Sequence, residues 1–326
     1  MSSTNPQDTF FAVDFGGTGT VVGLVNQSGQ ILGRTQFSTR EFVQLGVPEV
    51  FAHEVVSHAK ALATRLGLAV PSQLGIGAPG GNFFTGEICD SPNLAWRGGT
   101  PLSKLLEHVS GWEIRLENDA NASALGEARF GVGTQVADFV AVTLGTGVGS
   151  GIFVNGQLLR GADGFGGELG HLNIVPEGRH CECGGAGCLE TYASATGLIR
   201  TVLTGIRNGA SGASDFNAAQ LEADPEAAGK VIAKLADAGN PLAKDAFVVA
   251  AKALAKAFAE LTGLLSPACF VLSGGLSNAG AVLIDPLERA YRRNCLRFDR
   301  DLPRIVRSSL GSGDAALLGA ASLFFS

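Results

Sequence analysis

Charge is scarce in this 326-residue chain: 17% of its residues are Asp, Glu, Lys or Arg, and 24 basic side chains face 30 acidic ones, a formal charge of −6. With 45% hydrophobic residues the chain can bury a sizeable core, which excludes intrinsic disorder, and the acidic excess excludes a basic nucleic-acid binder. No run of about 18 apolar residues occurs, so no membrane-spanning helix is expected. Residues 1–9 (MSSTNPQDT) are polar, where a secretory leader needs a basic and then an apolar stretch. These absences predict a soluble, cytoplasmic protein with neither membrane nor nucleic acid as partner. Two nucleotide-binding signatures are missing too. There is no GxxxxGK[ST] P-loop, and residues 145–151 (GTGVGSG) imitate a dinucleotide fingerprint only superficially, because a hairpin signal follows where that fingerprint needs a helix.

Glycine, by contrast, is abundant: 46 residues, about twice the usual ~7% share and without a collagen period. Such glycines are expected where backbone meets backbone or ligand. The length is about twice an ordinary ~150-residue domain, so two domains or one large α/β unit are expected. Of the six cysteines, Cys89, Cys269 and Cys295 are scattered, while Cys181, Cys183 and Cys188 crowd together. In a reducing compartment the crowded three read as metal ligands and the scattered three as small buried hydrophobes.

The chain opens on a predicted three-stranded meander (10–15, 21–25, 31–37) with Gly-rich turns between. A helix is read over 41–66, a buried strand over 74–78, a strand at 114–116 and a helix over 120–130 behind a cap at Asn118 or Asp119. Strand 138–144, loop 145–151 and strand 152–154 repeat the opening device of strand, Gly/Thr loop, strand, and Asn155 and Gly156 signal another hairpin. Residues 207–229, rich in Ala, Gly, Ser and Asp, read as a mobile surface segment. Apolar positions from Phe247 to Leu265 step by 3 and 4, the period of an amphipathic helix. A strand at 270–272, a helix from about 281, a strand at 304–307 and a C-terminal helix complete the pattern.

Several residue groups carry chemistry. Residues 16–20 and 145–151 are Gly/Thr turns whose amides and hydroxyls suit phosphate oxygens; singly each is an ordinary hairpin turn, but together with Asp14 they point to a clamped nucleotide. Asp14 ends a strand of apolar residues, where a carboxylate needs a partner: magnesium, its waters, or the adjacent turn. Residues 117–121 (ENDAN) set four polar side chains between strand and helix. One cap explains one of them, and a carboxylate there, Asp119, suits a base that takes a proton from a hydroxyl during phosphoryl transfer. His171, Cys181, Cys183 and Cys188 form a His-x9-Cys-x-Cys-x4-Cys set. One imidazole and three thiolates satisfy a closed, structural tetrahedral zinc site. His180 is a competing ligand that is expected to be exposed instead. Glu168 and Glu190 flank the set, either as rigid hydroxyl-binding groups or as solvated charges.

These segments resemble the ROK family of sugar kinases, repressors and open reading frames, within the hexokinase and actin-like ATPase superfamily. The likeness runs through residues 14–18, 77–80, 117–121, 144–149, 161–171, 181–190 and 273–276, in order and at matching spacing. It implies a two-domain actin-like, ribonuclease H-like α/β fold with a cleft between lobes. Residues 1–118 would form the N-terminal lobe, with a C-terminal helix at about 312–326 packing back on it, and 119–311 the C-terminal lobe containing the zinc loop 168–190. By the resemblance Asp119 is the catalytic base, and Asn118, Glu168, His171 and Glu190, with Gly80, Gly81 and Asn93, contact the sugar. Asp14, Gly16, Gly17, Thr18, Thr146 and Gly147 fall on the phosphate and magnesium side, and Gly274 and Gly275 beside adenosine. Gly19 departs from the Lys or polar residue of many members, removing any side-chain phosphate contact there. The implied reaction is phosphoryl transfer from MgATP to the 6-hydroxyl of a hexose. Glucose is preferred, since Glu168, His171, Glu190 and residues 93–96 look glucokinase-like, with an N-acetylhexosamine or fructose as alternatives. The family also holds repressors, but those carry a helix-turn-helix domain ahead of the first Gly/Thr turn, and 13 residues precede Asp14. A catalytically silent sugar-binding protein is a further alternative, and a homodimer is the family's habit.

Overall fold

The structure, a computed structural model, describes residues 9–89, 96, 98–295, 301–311 and 313–325. Strands β1 (Thr9–Phe15), β2 (Gly19–Asn26) and β3 (Ile31–Ser38) form the antiparallel meander. The segment read as one helix over 41–66 is two, α1 (Arg40–Leu45) and α2 (Pro48–Leu66). Gly46 is left-handed (φ 64°) and ends the first, and Pro48 opens the second, the asymmetry that glycine and proline impose on helix ends. β4 (Gln73–Ala78) then pairs parallel with β1. A short ribbon of β5 (Gly81–Asn82) and β6 (Glu87–Ile88) and helix α3 (Leu102–Ser110) lead to β7 (Glu113–Asn118), parallel to β4. α4 (Asp119–Phe130) leaves β7 directly.

The second half repeats the scheme with β8 (Phe139–Leu144), β9 (Val148–Val154) and β10 (Gln157–Leu158). Helices α5 (Glu190–Ala193), α6 (Ala195–Arg207), α7 (Ala218–Ala223), α8 (Pro225–Asp237) and α9 (Pro241–Leu265) precede β11 (Cys269–Ser273). Then come α10 (Ala281–Asn294), β12 (Arg304–Arg307) and α11 (Asp314–Ser322). The two large sheets run β3-β2-β1-β4-β7 and β10-β9-β8-β11-β12, the same order of hairpin strands followed by parallel ones. Within residues 207–229, read as a mobile surface segment, α7 and α8 form helices over 218–223 and from 225 onward, while 208–217 is turns and one short 3-10 turn. Asn217 and Asp224 accept hydrogen bonds from the first-turn amides of those helices, and Leu221, Ala228 and Ile232 bury their apolar face.

The chain divides into two compact units: Met1–Ala137 with Gly151–Gly167 and Ser309–Ser326, and Asp138–Ser150 with Glu168–Ser308. In the first, alternate residues of β1 serve opposite faces, as a strand's two-residue period requires. Phe11, Val13 and Phe15 join Phe51, Val55 and Leu62 of α2, while Phe10 and Ala12 meet Leu317, Leu318 and Ala321 of α11. Each such burial stabilises by about 1.5–3 kcal/mol for the large side chains. α11 lies on α4 at backbone contact: a Cβ on Gly319 would fall 1.6 Å from the carbonyl oxygen of Ala122. In the second unit α9 covers β11, with Phe258 and Phe270 stacked at 4.1 Å and the hydroxyls of Thr262 and Tyr291 2.6 Å apart. Among the described residues no helix is long and apolar enough to cross a membrane.

Candidate active site

Strand register brings together the candidates of the first unit. Asp14 of β1 lies opposite Gly77 of β4, Gly77 opposite Glu117 of β7, and Ala78 opposite Asn118. The carboxyl ends of three parallel strands therefore bring residues 14–18, 79–81 and 117–119 to one edge, where α/β sheets place their ligands. Burial, with the nearby Asp119 carboxylate second, pushes the Asp14 carboxyl up to about 6. Burial likewise raises Asp119, opposed by the Ala120 N–H that donates to its Oδ1 at 2.9 Å. Two half-buried carboxylates raised mainly by burial suit a cation between oxygen ligands. The turn after Asp14 is tight, Gly16 N–H donating to the Gly19 carbonyl at 3.0 Å, and it leaves Thr18 exposed.

Asn118 is the helix cap. Its Oδ1 accepts from the amides of Ala120 (2.9 Å) and Asn121 (3.1 Å), so the group it can offer an acceptor sugar is the Nδ2 amide. Gly80 is left-handed at φ 68°. Gly81 is buried under the same segment, where a Cβ would come 2.6 Å from the Glu117 carbonyl, a packing reason for glycine there. Asn93 lies outside the described residues.

The second unit holds the other candidates. The loop after β8 is tied to α5 and α6: Ala195 N–H donates to Gly145 O at 2.9 Å, Thr196 Oγ1 to Thr146 O at 3.1 Å, and Val148 N–H to Glu190 Oε2 at 3.1 Å. Glu190 lies so close that a Cβ on Gly147 would sit 2.2 Å from its carboxylate. Thr146 is exposed. At the end of β11, Gly274 (φ 82°) presses on the Leu144 carbonyl, which a Cβ would approach to 2.5 Å. The hydroxyls of Thr143 and Ser273 meet at 3.2 Å, so the Gly145 and Gly274 turns are neighbours, with Gly275 exposed beside them. Glu168 is exposed and precedes a single helical turn, Leu169–His171, whose Leu169 N–H donates to Ser150 Oγ at 3.3 Å.

His171, Cys181, Cys183 and Cys188 converge, with ligand atoms within 4.8 Å of one another. His171 Nδ1 is 3.7 Å from Cys181 Sγ, and Cys183 Sγ 3.7 Å from Cys188 Sγ. The edge of a tetrahedron of Zn–S bonds of ~2.3 Å is about 3.8 Å, so the donor set and its spacing fit zinc. None of the six cysteines forms a disulfide. Burial and the neighbouring sulfurs push the Cys188 thiol up to about 12, which a cation reverses. His180 is exposed. Arg179, which the sequence did not single out, ties this loop to α5 and α6 through the carbonyls of Thr191 (2.7 Å) and Gly197 (3.0 Å) and stacks on Tyr192. Glu117 and Arg160 were also missed: their ion pair at 2.7 Å joins residues that no local motif connects.

Comparison with known proteins follows the same lines. The family model described as ROK family matches residues 10–326. The chain is 36% identical over 323 residues, covering 98% of each sequence, to the glucokinase of Thermotoga maritima. Its fold is similar to that of a ROK family glucokinase from Streptomyces griseus solved in complex with glucose and AMPPNP, with a TM-score of 0.80 and 32% identity over 97% of this chain and 98% of that one. A ROK family transcriptional regulator, a homologue of the E. coli MLC protein, matches with a TM-score of 0.81 and 28% identity over 96% of this chain and 76% of the regulator.

Proposed function

The chain belongs to the ROK family, and on that premise we propose that it is a sugar kinase that transfers the γ-phosphoryl group of ATP to the 6-hydroxyl of glucose. The observation that carries this reading is the near full-length likeness to an enzyme solved with glucose and an ATP analogue. The actin-like ATPase and hexokinase fold of these relatives is also this chain's fold.

In this reading Asp119 takes the proton of the acceptor hydroxyl. Its raised pKa favours that role, since a base works best when its pKa approaches the operating pH. One Asp119 oxygen is already held by the Ala120 amide, which leaves the other for the acceptor. Asn118 Nδ2, Glu168, His171 and Glu190 hold sugar hydroxyls, with Gly80, Gly81 and Asn93 on the same side. Gly16, Gly17, Thr18, Thr146 and Gly147 receive the phosphates through backbone amides and hydroxyls, and Gly274 and Gly275 flank the adenosine. Asp14 would hold magnesium, directly or through water; bound there, magnesium neutralises charge on the phosphate oxygens. His171, Cys181, Cys183 and Cys188 would hold a structural zinc. We place the protein in the cytoplasm as a homodimer.

An ADP-release assay with MgATP against glucose, mannose, fructose, N-acetylglucosamine and N-acetylmannosamine tests the reading, alongside metal analysis of the purified protein. Selective turnover of glucose supports it, and selective turnover of an N-acetylhexosamine replaces the substrate while keeping the mechanism. A sugar-sensing regulator is the second reading, favoured by the equal fold likeness to a transcriptional regulator. Sugar binding without any turnover would exclude the kinase reading and favour this one.

A further inference from the structure

Glu117 immediately precedes the Asn118–Asp119 pair and is 1% exposed. Each of its carboxylate oxygens has a separate task. Oε1 accepts from the Asn118 amide at 3.0 Å and from Asn121 Nδ2 at 3.2 Å. Oε2 accepts from Arg160 Nε at 2.7 Å, 43 residues away in the chain. Arg160, whose side chain is 22% exposed, is itself fixed: its guanidinium lies 4.0 Å from the centroid of the Phe83 ring. Its carbonyl accepts the Gly166 amide at 2.8 Å, and the loop it opens is tied to β5 by Asn82 Nδ2 donating to Asp163 O at 2.7 Å.

A pair this buried is poorly explained by stability, because well-packed apolar residues often serve a core as well or better. What apolar residues lack is an acceptor for the Asn118 N–H, in the peptide that leads into Asn118 and, one residue on, Asp119. We infer that Glu117 and Arg160 are positioning residues for phosphoryl transfer: Arg160 holds the Glu117 carboxylate in place, and Glu117 holds the Asn118 peptide so that Asn118 and Asp119 meet the acceptor hydroxyl. This inference rests on the proposed kinase reading. Neither side chain touches substrate, and their effect is on geometry, where a 1 Å error at the reacting group lowers the rate about 100-fold.

The test compares the full chain with Arg160→Met, Glu117→Met, the double variant and Arg160→Lys, measuring kcat, KM for glucose, KM for MgATP, and thermal unfolding. Each of the first two is expected to lower kcat about 10–100-fold while KM for MgATP stays within about twofold. The double variant strands no buried charge and is expected to unfold within a few degrees of the unaltered protein, yet to keep a kcat deficit of about tenfold or more. Arg160→Lys restores part of the rate, since an ammonium supplies the charge without the planar fork. A folded double variant with unaltered kcat overturns the inference. So does a loss shared equally by KM for both substrates and explained by the fall in unfolding temperature. If the unaltered chain turns over no sugar, the kinase reading fails first and takes this inference with it.

Discussion

Asp14 and Asp119 carry opposite consequences for stability and for activity. The Asp14 carboxyl, pushed from 3.8 to about 6 by burial and by Asp119, binds its proton more tightly in the folded chain than in the unfolded one. Its contribution is therefore full below about pH 4 and is lost as pH rises through 6, a penalty of at most about 3 kcal/mol at neutral pH. Asp14→Asn removes that penalty. Without nucleotide or magnesium, the variant is expected to unfold at higher temperature than the parent at pH 8 and at about the same temperature near pH 4, while its kcat falls. Equal unfolding temperatures at pH 8 would refute this. Asp119→Asn is expected to lower kcat about 10²–10⁴-fold with glucose affinity, measured by calorimetry, changed little. A parallel loss of affinity would assign Asp119 to binding instead.

Two contacts between elements allow predictions of their own. The loop carrying the His171 and cysteine cluster reaches the Gly145–Val148 loop through Glu190, whose Oε2 takes the Val148 amide and whose Oε1 lies 4.0 Å from Cys181 Sγ. Removing metal with a chelator, or making Cys183→Ser, is therefore expected to raise KM for MgATP as well as for the sugar, and to lower the unfolding temperature. A rise confined to the sugar would show that Glu190 does not transmit the disturbance. The helix pair α4 and α11 tolerates no side chain at Gly319, where a Cβ would overlap the Ala122 carbonyl at 1.6 Å. Gly319→Ala is expected to destabilise the protein by about 1–3 kcal/mol in denaturant titration.

Both large sheets have one strand order, and this doubled scheme supports a kinase and a regulator equally, as the likeness to both attests. Fold alone therefore does not choose between them; turnover does, and ligand response ranks the sugars. A hexose held at about 100 times its Kd raises unfolding free energy by about 2.7 kcal/mol. We expect glucose to give the larger shift and N-acetylhexosamines the smaller, in a thermal scan of the same sugar panel. The reverse order would reassign the substrate.

The sequence by itself determined the parts that depend on near neighbours. Turn chemistry and periodicity marked the meander of β1 to β3, the Asn155–Gly156 hairpin and the long apolar face of α9, and ligand chemistry at short spacing marked His171, Cys181, Cys183 and Cys188. It missed α7 and α8 in the second half of 207–229, where two Asx caps and a thin apolar stripe sufficed for helices. It passed over α3 and α6, whose buried faces rest on only a few residues. Only the tertiary structure decided that Asp14, Gly77 and Glu117 share one row, that Glu190 lies against Gly147, and that Arg160 reaches Glu117. Strand register and the meeting of distant loops follow from packing the whole core, and no local pattern of side chains specifies which residue will face which across that distance.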